Sequence, residues 1–192
     1  MTNHMTDRIN TFFNDRKIRK TLLKIRLPLG IVLLIIVALQ LKPGWFLPGL
    51  LVSMIGEIVQ VWCFSTIKTK KKLTVTGPYM IVRNPMYLGR FFQLFGIIMM
   101  TGNPWLMLIF MAVYYFYMIN RVRREEVVLI DLFGKDYEAY CRDVNRYIPG
   151  LKRFDAKHLG SFDKESFRQN HALINIIATL LCYVVLYAVT FH

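Results

Sequence analysis

Residues 171–191 read HALINIIATLLCYVVLYAVTF. No charged side chain interrupts this stretch. At about 1.5 Å of rise per residue, a helix of this length reaches across the ~30 Å hydrocarbon core of a bilayer. The same test extends toward the N-terminus. Residues 45–67 are equally long, with Glu57 as their only charge. Residues 86–100 and 105–120 are two apolar runs separated by Thr101-Gly102-Asn103-Pro104, a turn signal, so they read as a tight helical hairpin. Residues 27–41 are shorter and end at Lys42-Pro43-Gly44. They either span with help from flanking residues or insert halfway. The expected fold is an all-α integral membrane protein with about five transmembrane helices. A cytoplasmic helical region precedes the last span. Residues 1–26 form a basic N-terminal segment, and residues 27–192 form a single membrane-embedded domain with its motif core at 70–149 and its final span at 171–191.

Composition agrees with this class. Of the 192 residues, 55% are hydrophobic and 19% charged, which excludes a disordered or collagen-like chain. The net charge of +13 has two possible sources, a nucleic-acid surface or one-sided loops. Position decides between them. With five spans, every lysine and arginine except Lys42 and Arg90 falls on one side. The positive-inside rule then places the N-terminus in the cytoplasm and the C-terminus outside. No nucleic-acid signature competes. Cys63, Cys141 and Cys182 form no paired framework, and His4, His158, His171 and His192 are scattered, so neither a disulfide scaffold nor a metal site is expected. The long basic N-terminus does not read as a cleaved signal peptide.

Charge within an apolar span costs a few kcal/mol. Glu57 and Gln60 share one face of the second span, and Arg90 lies near the start of the third. Two readings stand: Glu57 and Arg90 pair or snorkel, or they line a polar cavity. Between these spans lies LTVTGPYMIVRNPMYLG, residues 73–89. Gly77-Pro78 marks a turn, Pro85 suits a first helical turn, and Asn84 occupies the N-cap position. A helix start there offers free N–H groups to an anionic group. Beyond the hairpin, Arg121 and Glu125 stand four apart on one helix face. Leu129, Ile130 and Phe133 continue the helical spacing, Gly134 breaks it, and Tyr137 and Tyr140 lie on a second short helix. Residues 149–166 read as surface connection.

Gly-Pro-Tyr at 77–79, Arg-Asn-Pro-Met-Tyr at 83–87, Arg121, Glu125-Glu126 and the Phe133-Gly134, Tyr137, Tyr140 series together resemble the isoprenylcysteine carboxyl methyltransferase family, which groups with the phospholipid methyltransferases. The likeness covers residues 70–149. It implies S-adenosylmethionine as methyl donor, without a Rossmann domain. By the same resemblance Lys71, Lys72, Leu73, Thr74, Tyr79, Asn84, Pro85, Met86, Tyr87 and Glu125 contact the cofactor, and Arg121 orients a substrate carboxylate. Asn84 stands where the eukaryotic enzymes carry histidine, so it keeps a hydrogen-bonding side chain that does not titrate. This departure looks like the bacterial branch.

A sulfonium methyl is already activated, so the protein mainly aligns donor and acceptor. A carboxylate acceptor needs no base, and an arginine fork would hold it. An amine acceptor would make little use of Arg121. The expected activity is therefore transfer of a methyl group to a lipid-like or prenylated acceptor that arrives from the bilayer, at a carboxylate. Lipid N-methylation is the alternative within the class. A non-catalytic protein that holds anionic lipid through its basic arm is the alternative outside it.

Overall fold

The computed structural model describes residues 15–68 and 72–192. Helix α1 runs Arg16–Ala38, α2 Pro43–Thr66, α3 Pro85–Met99, α4 Pro104–Asp143, α5 Ala156–Leu159, α6 Lys164–Gln169 and α7 Ala172–Phe191. A 3₁₀ turn, Gly77–Met80, lies between α2 and α3. The described residues contain no strand. Proline opens α2, α3 and α4, where its missing N–H would have no helical partner. The hairpin between α3 and α4 turns at Gly102, whose φ of 58° favours glycine. Asn103 then caps α4 by accepting from the amides of Trp105 and Leu106.

The closest helix pair is α2 with α3, and small residues explain it. A Cβ built on Gly49 would lie 2.5 Å from the Gly96 carbonyl oxygen, and one on Gly56 would lie 2.5 Å from that of Gly89. Ser53 sits fully buried between these glycines. Lipid gives helices no hydrophobic reason to associate, so close backbone approach and polar bonds hold them together. Helix α7 then lies against α2. Asn170 Nδ2 donates to the Phe64 and Ile67 carbonyls at the C-terminal end of α2, and Phe46 packs on Tyr187 and Phe191 at its other end. The two helices are therefore antiparallel.

The loops consequently sort into two sets. At one end, Phe46, Met100, Tyr183 and Leu186 form a core with Ala38 and Leu41 packed against it. The Lys42 amide donates to the Met100 carbonyl there. At the other end lie the loop of residues 72–84, the far part of α4, α6 and the start of α7. Helix α4 is about 60 Å long if straight, twice the bilayer core, so its second half leaves the apolar layer. At Gly134 (φ 49°, ψ −124°) it kinks and folds back.

Three helices are long and apolar enough to cross a membrane: Pro43–Thr66, Pro104–Asp143 and Ala172–Phe191. Helix α3 has 15 residues and lies between two of them. Helix α1 begins at Arg16, so it continues through the boundary drawn at residue 26 rather than starting there. Apolar side chains of α1, α4 and α7, among them Ile35, Ile109, Leu181 and Val184, point outward. Residues 149–166, expected as plain connection, contain α5 and the start of α6. Each helix is capped by its preceding aspartate, Asp155 or Asp163.

Candidate active site

The N-terminal turn of α3 presents Tyr87, and the part of α4 beyond the apolar layer presents Arg121 and Glu125. The Tyr87 hydroxyl donates to Glu125 Oε1 at 2.8 Å. Arg121 Nε donates to the same carboxylate oxygen at 3.0 Å and to the Tyr87 hydroxyl at 3.1 Å. Below them the Tyr114 hydroxyl donates to the Tyr87 carbonyl at 2.7 Å, tying α4 to the first turn of α3. The Arg121 and Glu125 side chains remain 47% and 41% exposed, so a ligand can reach both. Both bonds of Arg121 run from Nε, on the inner side of the guanidinium.

A second ion cluster lies next to the first. Glu126, one residue further along α4, points about 100° away around the helix. Its side chain is only 8% exposed. It receives Arg83 Nη1 at 3.3 Å and Arg146 Nε at 3.0 Å. The bond to Glu126 holds the Arg146 guanidinium above its ordinary pKa. The segment around Arg146 also straps the motif loop through its backbone. The Arg83 amide donates to the Asn145 carbonyl, and the Gly150 amide donates to the Ile81 carbonyl, both at 2.9 Å. The Gly134 kink supplies the lid of this region. Tyr137, Tyr140 and Val144 pack together over Leu73 and Val75. The Tyr140 hydroxyl donates to the Tyr79 carbonyl at 2.6 Å.

The expected site residues divide into three sets. Tyr87, Arg121 and Glu125 form one cluster. Leu73, Thr74, Tyr79, Asn84 and Pro85 belong to the strapped loop. Leu73 packs under the tyrosines, Thr74 Oγ1 accepts from the Lys68 amide, and Pro85 is buried at the helix start. Asn84 does occupy the N-cap position but its side chain does not cap α3. Its Nδ2 donates to the Arg146 carbonyl at 3.3 Å, so the side-chain amide is turned toward the strap. The Tyr79 hydroxyl is buried beside the Cys63 thiol, a weak partner, and meets no oxygen or nitrogen among the described residues. Burial pushes this phenol well above its ordinary pKa, so it is a neutral donor. Lys72 is exposed and Met86 half-buried. Lys71 lies outside the described residues. A depression of about 390 Å³ on the same end is lined by Ile67, Lys68, Asp163, Ser166 and Asn170, none of them expected site residues.

Sequence reading assigned no role to Glu126, Arg146 or Tyr114. The adjacent pair Glu125-Glu126 was the available signal, since neighbours on a helix cannot face the same partner. The suggested Glu57–Arg90 pair does not form. Glu57 instead accepts from Gln93 Nε2 at 2.7 Å, Thr179 Oγ1 at 3.2 Å and Asn175 Nδ2 at 3.3 Å.

A bundle with outward-facing apolar helices and a polar cluster built from two separated motifs defines a class, a small helical membrane protein with a site at one end. Comparison with known proteins shows what it is similar to. Residues 47–136 match the phospholipid methyltransferase family. The chain is 28% identical to a probable protein-S-isoprenylcysteine O-methyltransferase of Oryza sativa subsp. indica, over 59% of this chain and 66% of that protein. It is 32% identical to the protein-S-isoprenylcysteine O-methyltransferase of Saccharomyces cerevisiae, over 53% of this chain and 47% of the other. The corresponding protein of Schizosaccharomyces pombe is 37% identical over 43% of this chain and 35% of its own length. The matches thus span less than two thirds of these relatives. No solved structure matches the chain. The chain is thus similar to isoprenylcysteine carboxyl methyltransferases, the family its motifs resemble.

Proposed function

We propose that this chain is an S-adenosylmethionine-dependent membrane methyltransferase that acts on a lipid-like acceptor, at a carboxylate. The observation that carries this reading is the cluster of Tyr87, Arg121 and Glu125. Two motifs separated by a hairpin meet there in one half-exposed group at the end of an apolar bundle.

The residues suit the cofactor. Glu125 offers an accessible carboxylate to its ammonium, and the buried Tyr79 hydroxyl, with only the weak Cys63 thiol beside it, is a donor free to meet a stronger acceptor. When bound, the cofactor supplies an already activated methyl group. Tyr87 and Arg121 fix the Glu125 carboxylate by hydrogen bonds and so set the orientation of whatever it holds. Arg121 is anchored through Nε, which leaves the outer edge of its guanidinium to orient an acceptor carboxylate. Residues 27–192 act as one membrane-embedded unit of five spans. The N-terminus and the site face the cytoplasm, and the C-terminus lies outside.

Two measurements on the purified full chain test this reading. Calorimetry is expected to show S-adenosylmethionine binding that weakens about 10- to 100-fold in Glu125→Gln, the loss of a charge-assisted hydrogen bond. Methyl-labelled cofactor with N-acetyl-S-farnesylcysteine is expected to give a product that releases labelled methanol in base, as an ester does. Base-stable label on phosphatidylethanolamine would replace the carboxylate with an amine acceptor. No binding of the cofactor by the wild type would overturn the enzyme reading and favour an anionic-lipid scaffold.

A further inference from the structure

Helix α3 carries a second cation that the site described above does not use. Arg90 lies one turn beyond Tyr87, about 4.5 Å deeper along the helix axis and about 7.5 Å from its first residue. It is exposed although it sits in an apolar run. Among the described residues no carboxylate pairs with it, and its nearest polar contact is the Met86 sulfur, 3.9 Å from Nη2. An unpaired guanidinium in an apolar layer costs a few kcal/mol unless it reaches the interface or meets an anion. The acids on the adjacent helices are engaged elsewhere: Glu57 on α2 accepts from Gln93, Thr179 and Asn175, and Glu125 on α4 from Tyr87 and Arg121.

The surroundings of Arg90 form a mouth. Toward the hairpin, Phe91, Phe95, Phe110 and Tyr114 stack and close the crevice between α3 and α4. From Tyr114 onward the hydrogen bonds between the two helices meet at Tyr87, whose carbonyl accepts from Tyr114 and whose hydroxyl bonds Glu125 and Arg121. Arg90 and Leu94 on α3, and Tyr117 and Arg121 on α4, stay exposed on either side of the buried Tyr87 and Tyr114. Arg90 lies near enough to Tyr114 on α4, and to Cys63 on α2, for its charge to act on both.

We propose that Arg90 binds the anionic group of an amphiphile that enters the α3–α4 crevice from the bilayer. The position selects this ligand. The cation lies on the apolar side of the Tyr87–Glu125 cluster, so a water-borne anion would have to pass the site to reach it. An amphiphile brings its own tail for Leu94 and the aromatic wall. Its anionic head pairs with Arg90, and any second polar group one helical turn further out would reach Tyr87 and Arg121. This deepens the methyltransferase reading, which determines only what happens to that second group.

The test uses the full chain in phosphatidylcholine nanodiscs with paired fluorescent probes, a labelled palmitate and its methyl ester. Wild type is expected to bind the carboxylate at least about tenfold more tightly than the ester, the scale of one charge-assisted bond. Arg90→Gln should erase that preference while ester affinity stays as it was, and Arg90→Lys should keep most of it. Millimolar acetate should leave the preference in place. Three results would overturn the proposal: no preference in wild type, a preference that survives Arg90→Gln, or one lost in Arg121→Gln instead. Competition by acetate would overturn the bilayer as source. S-adenosylmethionine binding is measured on the same samples. Its absence alongside an Arg90-dependent preference would remove the methyltransferase reading and leave the anion site standing.

Discussion

Helix α3 has two faces with opposite designs. Toward α2 it presents Gly89, Gln93 and Gly96, and the backbones approach until no side chain fits between them. Toward α4 it presents Tyr87, Phe91 and Phe95, large rings that close the hairpin end. Past Tyr114, on this second side, exposed Arg90 and Leu94 leave the crevice open. One seam therefore fixes position, and the other leaves room. A group-transfer site needs both, because side chains hold a reacting geometry only when the elements that carry them do not shift.

The most damaging way to break this comparison is to fill the closed seam. In Gly96→Leu the new Cβ would meet the backbone of Gly49 and Ser53, which cannot move without moving α2. Overpacking a core costs about 1–3 kcal/mol, and more where the obstacle is backbone. We expect loss of folded protein, read as aggregation on size exclusion in detergent. Leu94→Ala, on the open side, should elute as wild type does. Equal behaviour of the two variants would mean that the seams do not differ.

The next effect falls on the strap that holds the site to the scaffold. Glu126→Ala leaves Arg83, a mostly buried arginine, without its carboxylate. Breaking such a pair costs about 3–5 kcal/mol. The lower end is expected here because Arg146, at 39% exposure, can turn to water. Thermal unfolding should show a clear loss of stability. A shift within error would mean that the backbone bonds alone hold the strap.

How much of this was legible in the sequence differs between the two seams. The long helices were visible as apolar runs, and the hairpin as Thr101-Gly102-Asn103-Pro104, because span length and turn chemistry are local properties; the short α5 and α6 were not. The Tyr87–Arg121–Glu125 cluster was legible through motif order, together with the i,i+4 spacing of Arg121 and Glu125. The strap was not. Arg83 and Arg146 meet Glu126 only because α4 kinks at Gly134 and returns, a tertiary consequence of one residue. The absent side-chain cap at Asn84 has the same origin, since the strap carbonyl takes the Asn84 Nδ2 and turns the side chain toward it. The partners of Glu57 were also hidden. They lie on α3 and α7, and no spacing rule relates position 57 to position 175 or 179.

A smaller effect is expected at the rim of the open side. Lysine in place of Arg121 keeps the charge and loses the planar fork. Arg121→Lys should leave cofactor affinity nearly intact and lower methyl transfer about tenfold, ~1.4 kcal/mol of transition-state stabilisation. If Arg121 forms only a surface pair with Glu125, worth under about 1 kcal/mol, turnover would be unchanged. Full turnover would therefore remove Arg121 as the acceptor clamp.

The smallest effect is expected where the hydrogen bonds are most numerous. Glu57 accepts from α3 through Gln93 and from α7 through Asn175 and Thr179, and Ser53 joins the same region by meeting the Tyr183 hydroxyl at 2.6 Å. This group looks costly to disturb. Interhelical polar contacts in membranes nonetheless average only about 0.6 kcal/mol, because the separated helices also find partners. Glutamine at position 57 retains an acceptor oxygen for Gln93 and Thr179 and loses the charge and the acceptor for Asn175, the longest of the three bonds. Glu57→Gln should therefore shift stability by under about 1 kcal/mol and leave methyl transfer at the wild-type rate, as expected of a residue that fastens α7 to the closed seam. Stability and turnover measured on the same sample separate this from a role in the reaction. Unchanged unfolding with a large loss of turnover would move Glu57 from the scaffold to the chemistry, and the division between the two faces of α3 would no longer hold.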